Sequence, residues 1–548
     1  MGSKTTIAIV AGGAYLLFCL ATLSHQYTFD AISYLLDVEN TRLSIPVVPA
    51  SIAYNFFHSQ HLLFSPIVYL FYHFWMLLGY SGSAMVPAQA LNLLEGSLTI
   101  SLAFLILMSI TDDQRLSLFC ALFLGSTYSI WSNTAMVSDH MASCLIASIL
   151  FGALLRTDIG KTSIARLVFL GCLNGLATLM HQANAIMGIM FLTLAAFSRV
   201  SLAARVRALA IYIVSAGATV VVPYLLVGIF ILKNSTVHDF IFWAFYYAMP
   251  GVISVTGHYG TMSLGRFVDL LTSFGASVIG GFYWMNRVFE MRTLQRFGVP
   301  ALSALALLIS TLVMARVISL GAKKESNPQL RKARYLSISW FLIYALLLFW
   351  WWPTYYQLWA VPLVGFVIFL GTLIHSTIRQ PIKNFAWLQG GFVALIAVVC
   401  SANLLAVFLP AHDIRNNDYY VTTIAIGNHT SAGDLVIIPG NDEYETYIPY
   451  FMKRNVASLH EILIDHMNDL QETLDDLRDR MSETWDSSHN VYIVDELRDS
   501  ARSYADVYSL HHLKNDDIAH FFRHYPTGEA IETQSLTLYE LKPSDSSK

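Results

Sequence analysis

Two aspartates are the residues of this chain best suited to chemistry at a membrane surface. Asp30 follows the first long apolar segment and leads into a polar stretch, and Asp139 stands between two later apolar segments, before His140. A carboxylate at the mouth of a transmembrane helix must be solvated or paired, and it can act as a general base or hold a cation. Each aspartate also suits the position that caps the N-terminus of the following helix. We therefore predict catalytic roles for both, with capping as the alternative.

Histidines and amides supply further candidates. His58 and His61 are three residues apart, before a segment in which Pro66 suits the first turn of an interfacial helix. This spacing could place both imidazoles on one helical face, where they could bind substrate or, with the carboxylates, a divalent cation. Simple amphipathic histidines at an interface are the alternative. His181 and Gln182 follow another apolar segment, where polar side chains line a substrate cavity or bond between helices.

Aromatic and basic residues complete the candidate site. Tyr355 and Tyr356 end an aromatic run that begins at Trp350. Such a run is typical of an interfacial aromatic belt, and it could also form a platform for a sugar ring or a lipid. Arginines outside the membrane would suit a phosphate or pyrophosphate, with ordinary cytoplasmic positive charge as the alternative. The arginines in question are Arg266, Arg287, Arg292 and Arg296.

The composition requires most of the chain to lie in the membrane. Of 548 residues, 55% are hydrophobic and 13% are charged, roughly half the charged share of a soluble protein. The net charge of -4 gives no case for nucleic-acid binding. All five cysteines lie in apolar segments, which argues against disulfides and a Cys/His zinc site. Walker A, Rossmann and zinc-protease motifs do not occur, which disfavours a nucleotide-driven pump and a zinc protease.

About eleven segments have the roughly 20 apolar residues that a spanning helix needs. They are 6–24, which we interpret as a retained anchor, 87–110, 116–135, 139–156, 164–180, 182–198, 207–232, 298–320, 335–351, 355–375 and 386–409. If the apolar segments 61–80 and 266–286 do not cross, the main Lys/Arg clusters of the loops all fall in the cytoplasm. The candidate residues then lie on the external side, together with everything after 410.

The last part of the chain differs from the rest. Residues 411–548 are polar and charged, and they follow a transmembrane domain of residues 1–410. Leu435–Gly440 reads as a buried strand that ends at a turn, Val491–Asp495 reads as a second strand, and residues 459–481 between them have helical periodicity. We predict a small extracytoplasmic α/β domain.

The order of these pieces resembles the GT-C superfamily of polytopic membrane glycosyltransferases, especially bacterial relatives of the protein mannosyltransferase and aminoarabinose transferase group. The resemblance covers roughly residues 5–410 and rests on short motifs. Asp30 follows the first helix, Asp139 opens a later one, and His61 and Pro66 match the head of the interfacial helix. At two positions the chain departs from the pattern of many members, with Gln60 in place of His and Phe64 in place of Tyr.

The resemblance implies a mechanism and a location. A sugar would pass with inversion from a polyprenyl-phosphate donor to a lipid, glycan or protein acceptor, with Asp30 as base. A divalent cation, Mg²⁺ or Mn²⁺, would be held by Asp30, Asp139 and His61, and the cation or external arginines would stabilise the departing phosphate. The protein would lie in a bacterial inner membrane, with its C-terminal domain extracytoplasmic.

Two other classes of function fit the sequence. A transporter or flippase of a lipid-linked sugar or small solute predicts a polar path through the helix bundle. A non-catalytic scaffold or receptor predicts that Asp30, Asp139 and His61 can be replaced without loss of function. An enzyme instead predicts that the polar residues converge on one external cavity.

Overall fold

The computed structural model describes most of the chain. The described residues are 2–40, 56–245, 263–280, 327–378, 385–440, 443–466, 469–498 and 515–543. Three of the predicted phosphate ligands (Arg287, Arg292 and Arg296) and the predicted span 298–320 lie outside the described residues.

The chain divides into two compact units. The first comprises Met1–Ser24 and Asp37–His412, and the second comprises His25–Leu36 and Asp413–Lys548. The short segment His25–Leu36 carries Asp30, and from the sequence it was expected to belong with the transmembrane domain. It groups instead with the C-terminal part of the chain.

The first unit is built from helices. In chain order they are α1 (Gly2–Ala21), α2 (Phe29–Asn40, which begins in the second unit), α3 (Phe64–Leu77), α4 (Met85–Thr111), α5 (Gln114–Ser126), α6 (Tyr128–Ala135), α7 (His140–Leu155), α8 (Ile164–Met180), α9 (Gly188–Ala196), α10 (Leu202–Leu225), α11 (Val237–Ala244), α12 (Leu264–Val278), α13 (Pro328–Trp350), α14 (Ala360–Ile378), α15 (Phe385–Asn403) and α16 (Leu409–His412). Three 3₁₀ turns connect some of them, at Ser59–His61, Gln182–Met187 and Gln357–Trp359.

Within the described residues, fewer helices than expected are long and apolar enough to span a membrane. Six in the described part of the chain are long and apolar enough, or seven if α6 and α7, which meet at 118°, form one broken span. Several predicted spans are shorter because the helix breaks inside the apolar segment. Segment 116–135 breaks at Thr127, which has an extended backbone, and segment 182–198 begins as a 3₁₀ turn. The multi-pass membrane character holds, and the number eleven is not confirmed.

Small residues allow two helices to pack closely. A Cβ at Gly171 of α8 would lie 2.5 Å from the carbonyl oxygen of Tyr212 in α10. One turn later, a Cβ at Gly175 would lie 2.8 Å from the carbonyl oxygen of Ala216. Such spacing of small residues is how membrane helices bring their backbones together. The pair α8–α10 holds the turn that carries His181.

Basic side chains cap helix ends in the first unit. The Lys332 ammonium donates to the carbonyls of Leu155 and Thr157, at 2.9 and 2.6 Å, at the end of α7. The Arg266 guanidinium donates to the carbonyls of Phe349 and Trp350, at 3.1 and 2.9 Å, at the end of α13. Cations at helix C-termini satisfy terminal carbonyls and complement the helix dipole. Arg266 therefore stabilises a helix terminus, whereas its predicted phosphate contact stays a prediction.

The second unit contains a sheet. Its described strands are β1 (Leu435–Ile438), β2 (Asn455–Ser458), β3 (Val491–Val494), β4 (Thr527–Glu532) and β5 (Thr537–Leu541), in the order β2-β1-β3-β5-β4. Strands β2, β1 and β3 run parallel to one another. Strand β5 runs antiparallel to β3, and β4 runs antiparallel to β5. Both predicted strands, β1 and β3, are present, and both are fully buried. The helices are Asp418–His429, Tyr444–Tyr447, Leu459–Asp465, Leu470–Asp486, Asp495–Arg498 and Asn515–Arg523, so the predicted helix 459–481 is two helices.

Candidate functional site

The site is built around the turn between α6 and α7. The Ser138 hydroxyl accepts a hydrogen bond from the His140 N–H at 3.2 Å and donates to the Asn133 side chain. The Asn92 amide donates to the Ser138 carbonyl and, at 3.2 Å, to the Asn133 carbonyl. Because Asn92 belongs to α4 and Asn133 to α6, these hydrogen bonds attach the turn to both helices. The turn lies where the chain changes direction by 118° between α6 and α7.

Asp139 directs its carboxylate into the protein rather than onto its own helix. It occupies the residue before α7, yet its side chain makes no capping hydrogen bond. One carboxylate oxygen lies 3.5 Å from His140 Nδ1, and the other lies 4.0 Å from His181 Nε2. Asp139 is buried, with 7% of its surface exposed. The capping alternative is wrong for this side chain, and the carboxylate is available to chemistry with two imidazoles.

The two imidazoles are oriented by their other nitrogens. His140 Nε2 lies 3.2 Å from the Tyr355 hydroxyl. His181 Nδ1 accepts a hydrogen bond from the Ala183 N–H at 3.2 Å, at the start of the 3₁₀ turn Gln182–Met187. A neutral imidazole that accepts at one nitrogen carries its proton on the other. His181 therefore presents Nε2–H toward Asp139.

These three side chains form the group that could hold a metal ion among the described residues. The ligand atoms of Asp139, His140 and His181 all lie within 4.8 Å of one another, and all three residues are buried. Two imidazoles and one carboxylate suit Zn²⁺ or Mn²⁺ better than Mg²⁺, which prefers an all-oxygen shell. Binding through His181 Nε2 would require the Ala183 hydrogen bond to break. The three donors fit a cation in type and spacing, provided that His181 gives up its hydrogen bond with the Ala183 N–H when the cation binds.

His58 and His61 stack on each other on one side of a short turn that precedes α3. Their ring centroids are 4.3 Å apart at 10°, with His58 capping the 3₁₀ turn Ser59–His61. Burial lowers the pKa of His58 to about 4. Burial also holds the pKa of His61 well below its usual range, and the imidazoles of His58, His181 and His140 add to this effect. Both imidazoles are therefore neutral at pH 7, next to the Asp139 group.

The interfacial helix is confirmed in one respect. Pro66 is the third residue of α3, where its missing N–H leaves no hydrogen bond unmade. This helix has 14 residues, so it is short for a membrane span. The Leu63 N–H donates to the Leu179 carbonyl at 3.1 Å, which joins the start of α3 to the end of α8. The His58–His61 turn is thereby held beside the turn of His181.

Gln182 holds helices together. Its amide nitrogen donates to the Tyr224 hydroxyl and to the Ala244 carbonyl, each at 2.9 Å. The Tyr224 hydroxyl in turn donates to the Ser59 carbonyl. Of the two readings of Gln182, hydrogen bonding between helices is observed, and substrate binding stays a prediction.

The two tyrosines of the aromatic run have different surroundings. Tyr355 reaches His140, and its ring stacks on Trp352 at 4.5 Å. Tyr356 stacks on Tyr128 at 5.2 Å, and its carbonyl accepts a hydrogen bond from the Ser129 hydroxyl at 3.1 Å. Tyr355 therefore belongs to the Asp139 site, whereas the observed contacts of Tyr356 are with α6.

Asp30 lies in the second unit and is exposed. It is the second residue of α2, and Thr28 takes the capping role, because its hydroxyl accepts a hydrogen bond from the Ala31 N–H at 3.2 Å. The helix dipole favours a negative charge in this first turn. Asp30 is thus an exposed carboxylate that does not cap α2 in the way that the sequence suggested.

The motifs did not single out several residues of the site. His140 could have been found from its place beside Asp139, and Asn184 from its place in the polar stretch that begins at His181. The Asn184 amide donates to the Ser143 hydroxyl at 2.9 Å, and its oxygen accepts from the Tyr344 hydroxyl. Ser143 lies one turn after Asp139 on α7. Asn184 thus joins α7 and α13 behind the site.

Comparisons with known proteins give information on the fold. No protein-family model and no curated protein sequence matches the chain. Among solved structures, the apo oligosaccharyltransferase of Archaeoglobus fulgidus matches with a TM-score of 0.50 and 12% identity, over 96% of this chain and 72% of that one. ArnT from Cupriavidus metallidurans bound to undecaprenyl phosphate matches with a TM-score of 0.45 and 13% identity, over 98% of each chain.

A second structure of the archaeal oligosaccharyltransferase, in complex with Zn and sulfate, matches with a TM-score of 0.46 and 13% identity, over all of this chain and 73% of that one. At these identities the likeness concerns the fold alone, and the match at 0.50 supports it. The match at 0.50 therefore supports a fold shared with the archaeal oligosaccharyltransferase, in agreement with the fold expected from the motif order.

Proposed function

We propose that this protein is a membrane glycosyltransferase that moves a sugar from a polyprenyl-phosphate donor to a lipid, glycan or protein acceptor. The observation that carries the proposal is the buried carboxylate of Asp139 between two imidazoles, at a break between apolar helices. A fold shared with an oligosaccharyltransferase supports the same class of reaction.

The distribution of polar residues favours an enzyme over a transporter. In the first unit the candidates His58, His61 and His181 interact with one another and gather around Asp139. Tyr355 joins the same group through His140. A transporter predicts polar groups arranged along a path through the helices, whereas a single gathering of polar groups suits one reaction centre.

The proposed reaction exchanges one bond for another at the anomeric carbon of the sugar. The acceptor oxygen forms the new bond from one face, and the bond to the lipid phosphate breaks on the other, which inverts the configuration. Asp30 takes the proton of the acceptor hydroxyl, a task for which an exposed carboxylate in a first helical turn is suited. Electron density leaves with the phosphate oxygen.

Neutral donors in the Asp139 group suit the departing phosphate. The Tyr355 hydroxyl and an N–H of His140 can each donate a hydrogen bond to an anionic oxygen, in a site where burial strengthens such bonds. Asp139 orients His140 and His181 for this work. A cation held by Asp139, His140 and His181 would supply further stabilisation of negative charge when bound.

The test is sugar transfer by purified protein in lipid nanodiscs, with a panel of radiolabelled polyprenyl-phosphate sugars. We expect transfer by the wild type and its loss in Asp30→Asn and in Asp139→Asn. Asp113→Asn is the matched control, since Asp113 caps α5 through the Leu116 N–H at 3.0 Å and Asn caps equally well. Full transfer by both site variants would overturn the proposal. Solute flux without transfer would favour the transporter.

Cation binding is tested separately. Wild-type protein stripped by a chelator should bind Zn²⁺ or Mn²⁺ in calorimetry, and Asp139→Asn should bind neither. His58→Asn is the control, because His58 lies near the three donors without belonging to them. Equal binding by Asp139→Asn would remove the cation from the proposal.

A further inference from the structure

The second unit joins two parts of the chain that lie far apart in sequence. Residues His25–Leu36 group with Asp413–Lys548, and the contacts that join them centre on Tyr27 and Tyr447, 420 residues later. The Tyr27 ring also packs on Phe451, with centroids 5.9 Å apart. Because Tyr27 lies three residues before Asp30, these contacts bear on the proposed base.

One hydroxyl holds both backbone groups of Tyr27. The Tyr447 hydroxyl accepts a hydrogen bond from the Tyr27 N–H at 3.2 Å and donates one to the Tyr27 carbonyl at 2.8 Å. It accepts a further bond from the Asn417 amide at 3.1 Å. A hydroxyl has one hydrogen and two lone pairs, so its bonding capacity is fully used. The two hydrogen bonds with the Tyr447 hydroxyl therefore fix both the position and the direction of the backbone at Tyr27.

Asn417 fixes the hydroxyl and the chain next to it. Its amide nitrogen donates to Tyr447 and, at 2.7 Å, to the His25 carbonyl. Its oxygen accepts from the Tyr420 N–H at 3.0 Å, which caps helix Asp418–His429. Asn417 and Tyr447 each expose only 1% of their surface. Buried, fully satisfied networks of this kind hold one geometry.

The residue that follows Tyr27 stands at the start of the helix that carries Asp30. Thr28, the residue after Tyr27, caps α2 through its hydroxyl on the Ala31 N–H, and its carbonyl accepts the Ile32 N–H at 3.2 Å. Since a capped helical turn is rigid, the position of Tyr27 sets the position of Asp30. Ala31 and Ile32 are buried while Asp30 is exposed, so the turn presents its carboxylate outward.

We infer that Tyr447 and Asn417 are positioning residues for Asp30, and that the C-terminal part of the chain is required for the reaction because it sets where the base stands. This inference rests on the proposed function. Substitution of Tyr447 or Asn417 should lower turnover rather than donor binding, because it would displace Asp30 and would leave the contacts with the donor unchanged.

The experiment uses the full-length protein in nanodiscs. Tyr447→Phe keeps the ring and removes the hydroxyl. Asn417→Asp keeps the oxygen that caps the helix and removes the two amide donors. Tyr492→Phe is the matched control, since Tyr492 is a buried tyrosine of the same unit whose hydroxyl bonds Asn490 instead of His25–Leu36. Hydrogen exchange of peptide 25–31 and the kcat and KM of sugar transfer are measured for each.

We expect faster exchange of peptide 25–31 and a kcat roughly 10- to 100-fold lower in both variants, since small displacements of a reacting group have effects of this size. The donor KM should change less than about twofold, because binding and turnover separate when only the geometry of a reacting group is lost. Tyr492→Phe should leave both measurements unchanged.

The outcomes separate the two proposals. Unchanged exchange in Tyr447→Phe would overturn the inference at the level of structure, whatever the activity. Faster exchange with unchanged kcat would overturn the positioning role and leave the glycosyltransferase proposal standing. An equal fall in kcat for Tyr492→Phe would also overturn it, since a general loss of stability would then explain the result. Absence of transfer by the wild type would overturn both proposals.

Discussion

Asp139 and Asp30 both stand at the start of a helix, yet the protein holds them by different means. Asp139 is buried in the first unit and faces two imidazoles within 4.0 Å, on a turn that its neighbours in α4 and α6 fasten. Asp30 is exposed in the second unit, and a tyrosine and an asparagine from the far end of the chain hold the backbone before it. Side chains around the carboxylate position Asp139, whereas hydrogen bonds to the preceding backbone position Asp30.

The difference indicates a division of work. A buried carboxylate with neutral partners suits a constant task, such as holding imidazoles or a cation. An exposed carboxylate in a first helical turn suits proton transfer, because an acceptor can reach it. Perturbations of the two regions should therefore produce different kinds of defect.

The largest expected effect is on turnover. Asp30→Asn should lower kcat of sugar transfer by about 10² to 10⁴-fold, the usual range for a general base. Thermal stability should stay within about 0.5 kcal/mol of the wild type, because the side chain is exposed. Transfer assays and thermal unfolding of the same preparation check both. A kcat within threefold of wild type would move the base to another residue.

The histidine region should make the first unit sensitive to acid. Burial depresses the pKa of His58 from 6.5 to about 4, so between these values the unfolded chain binds a proton that the folded protein does not. Stability should therefore fall as pH drops from 6.5 to 4, by up to roughly 3 kcal/mol. His58→Asn should reduce this loss.

The check is the thermal unfolding midpoint in detergent at pH 7, 6, 5 and 4 for the wild type and His58→Asn. Equal pH dependence of the two proteins would contradict the prediction. His429→Asn is a suitable control, since His429 is an exposed histidine of the second unit.

The fastening of the Asp139 turn should matter for stability. Asn92→Ala removes the amide that donates to the carbonyls of Ser138 and Asn133. Leaving buried acceptors without a donor costs about 1 to 3 kcal/mol. Thermal unfolding should show this loss, and Asp139→Asn should not, since its carboxylate fastens no turn. A variant Asn92→Ala as stable as the wild type would show that the turn is held by other contacts.

The smallest effect is expected at the cap of the Asp30 helix. Thr28→Ala removes the hydroxyl that accepts the Ala31 N–H, which costs about 1 kcal/mol at a helix N-terminus. Thr28→Ser keeps that acceptor and serves as the control. Hydrogen exchange of peptide 28–36 should rise in Thr28→Ala alone. Equal exchange in the two variants would mean that the hydrogen bonds between Tyr447 and Tyr27 keep the start of α2 ordered without the Thr28 cap.

Local sequence signals predicted what depends on local structure. The apolar segments predicted most helices, the alternation of strand and turn residues predicted β1 and β3, and Pro66 marked the first turn of α3. Asp139 was identified because an acidic residue between apolar segments is conspicuous. The helix count failed because apolar composition does not reveal where Thr127 or the residues after His181 leave the helical conformation.

Contacts between distant residues could not be read from the chain. His181 reaches Asp139 only because α7 and α8 fold side by side, and Tyr344 reaches Asn184 from 160 residues away. The grouping of His25–Leu36 with the C-terminal part depends on Tyr447, whose type is common and whose position carries no motif.

The separation of Tyr27 and Tyr447 imposes an order on biosynthesis. At ordinary rates of translation, the ribosome needs roughly 20 to 80 s to add the 420 residues between them. During that interval the helices of the first unit can enter the membrane, while the segment before Asp30 waits for its partner. A chain released early would keep its apolar helices and lack the contact that arranges its N-terminal carboxylate. Completion of synthesis thereby becomes a condition for assembling the second unit.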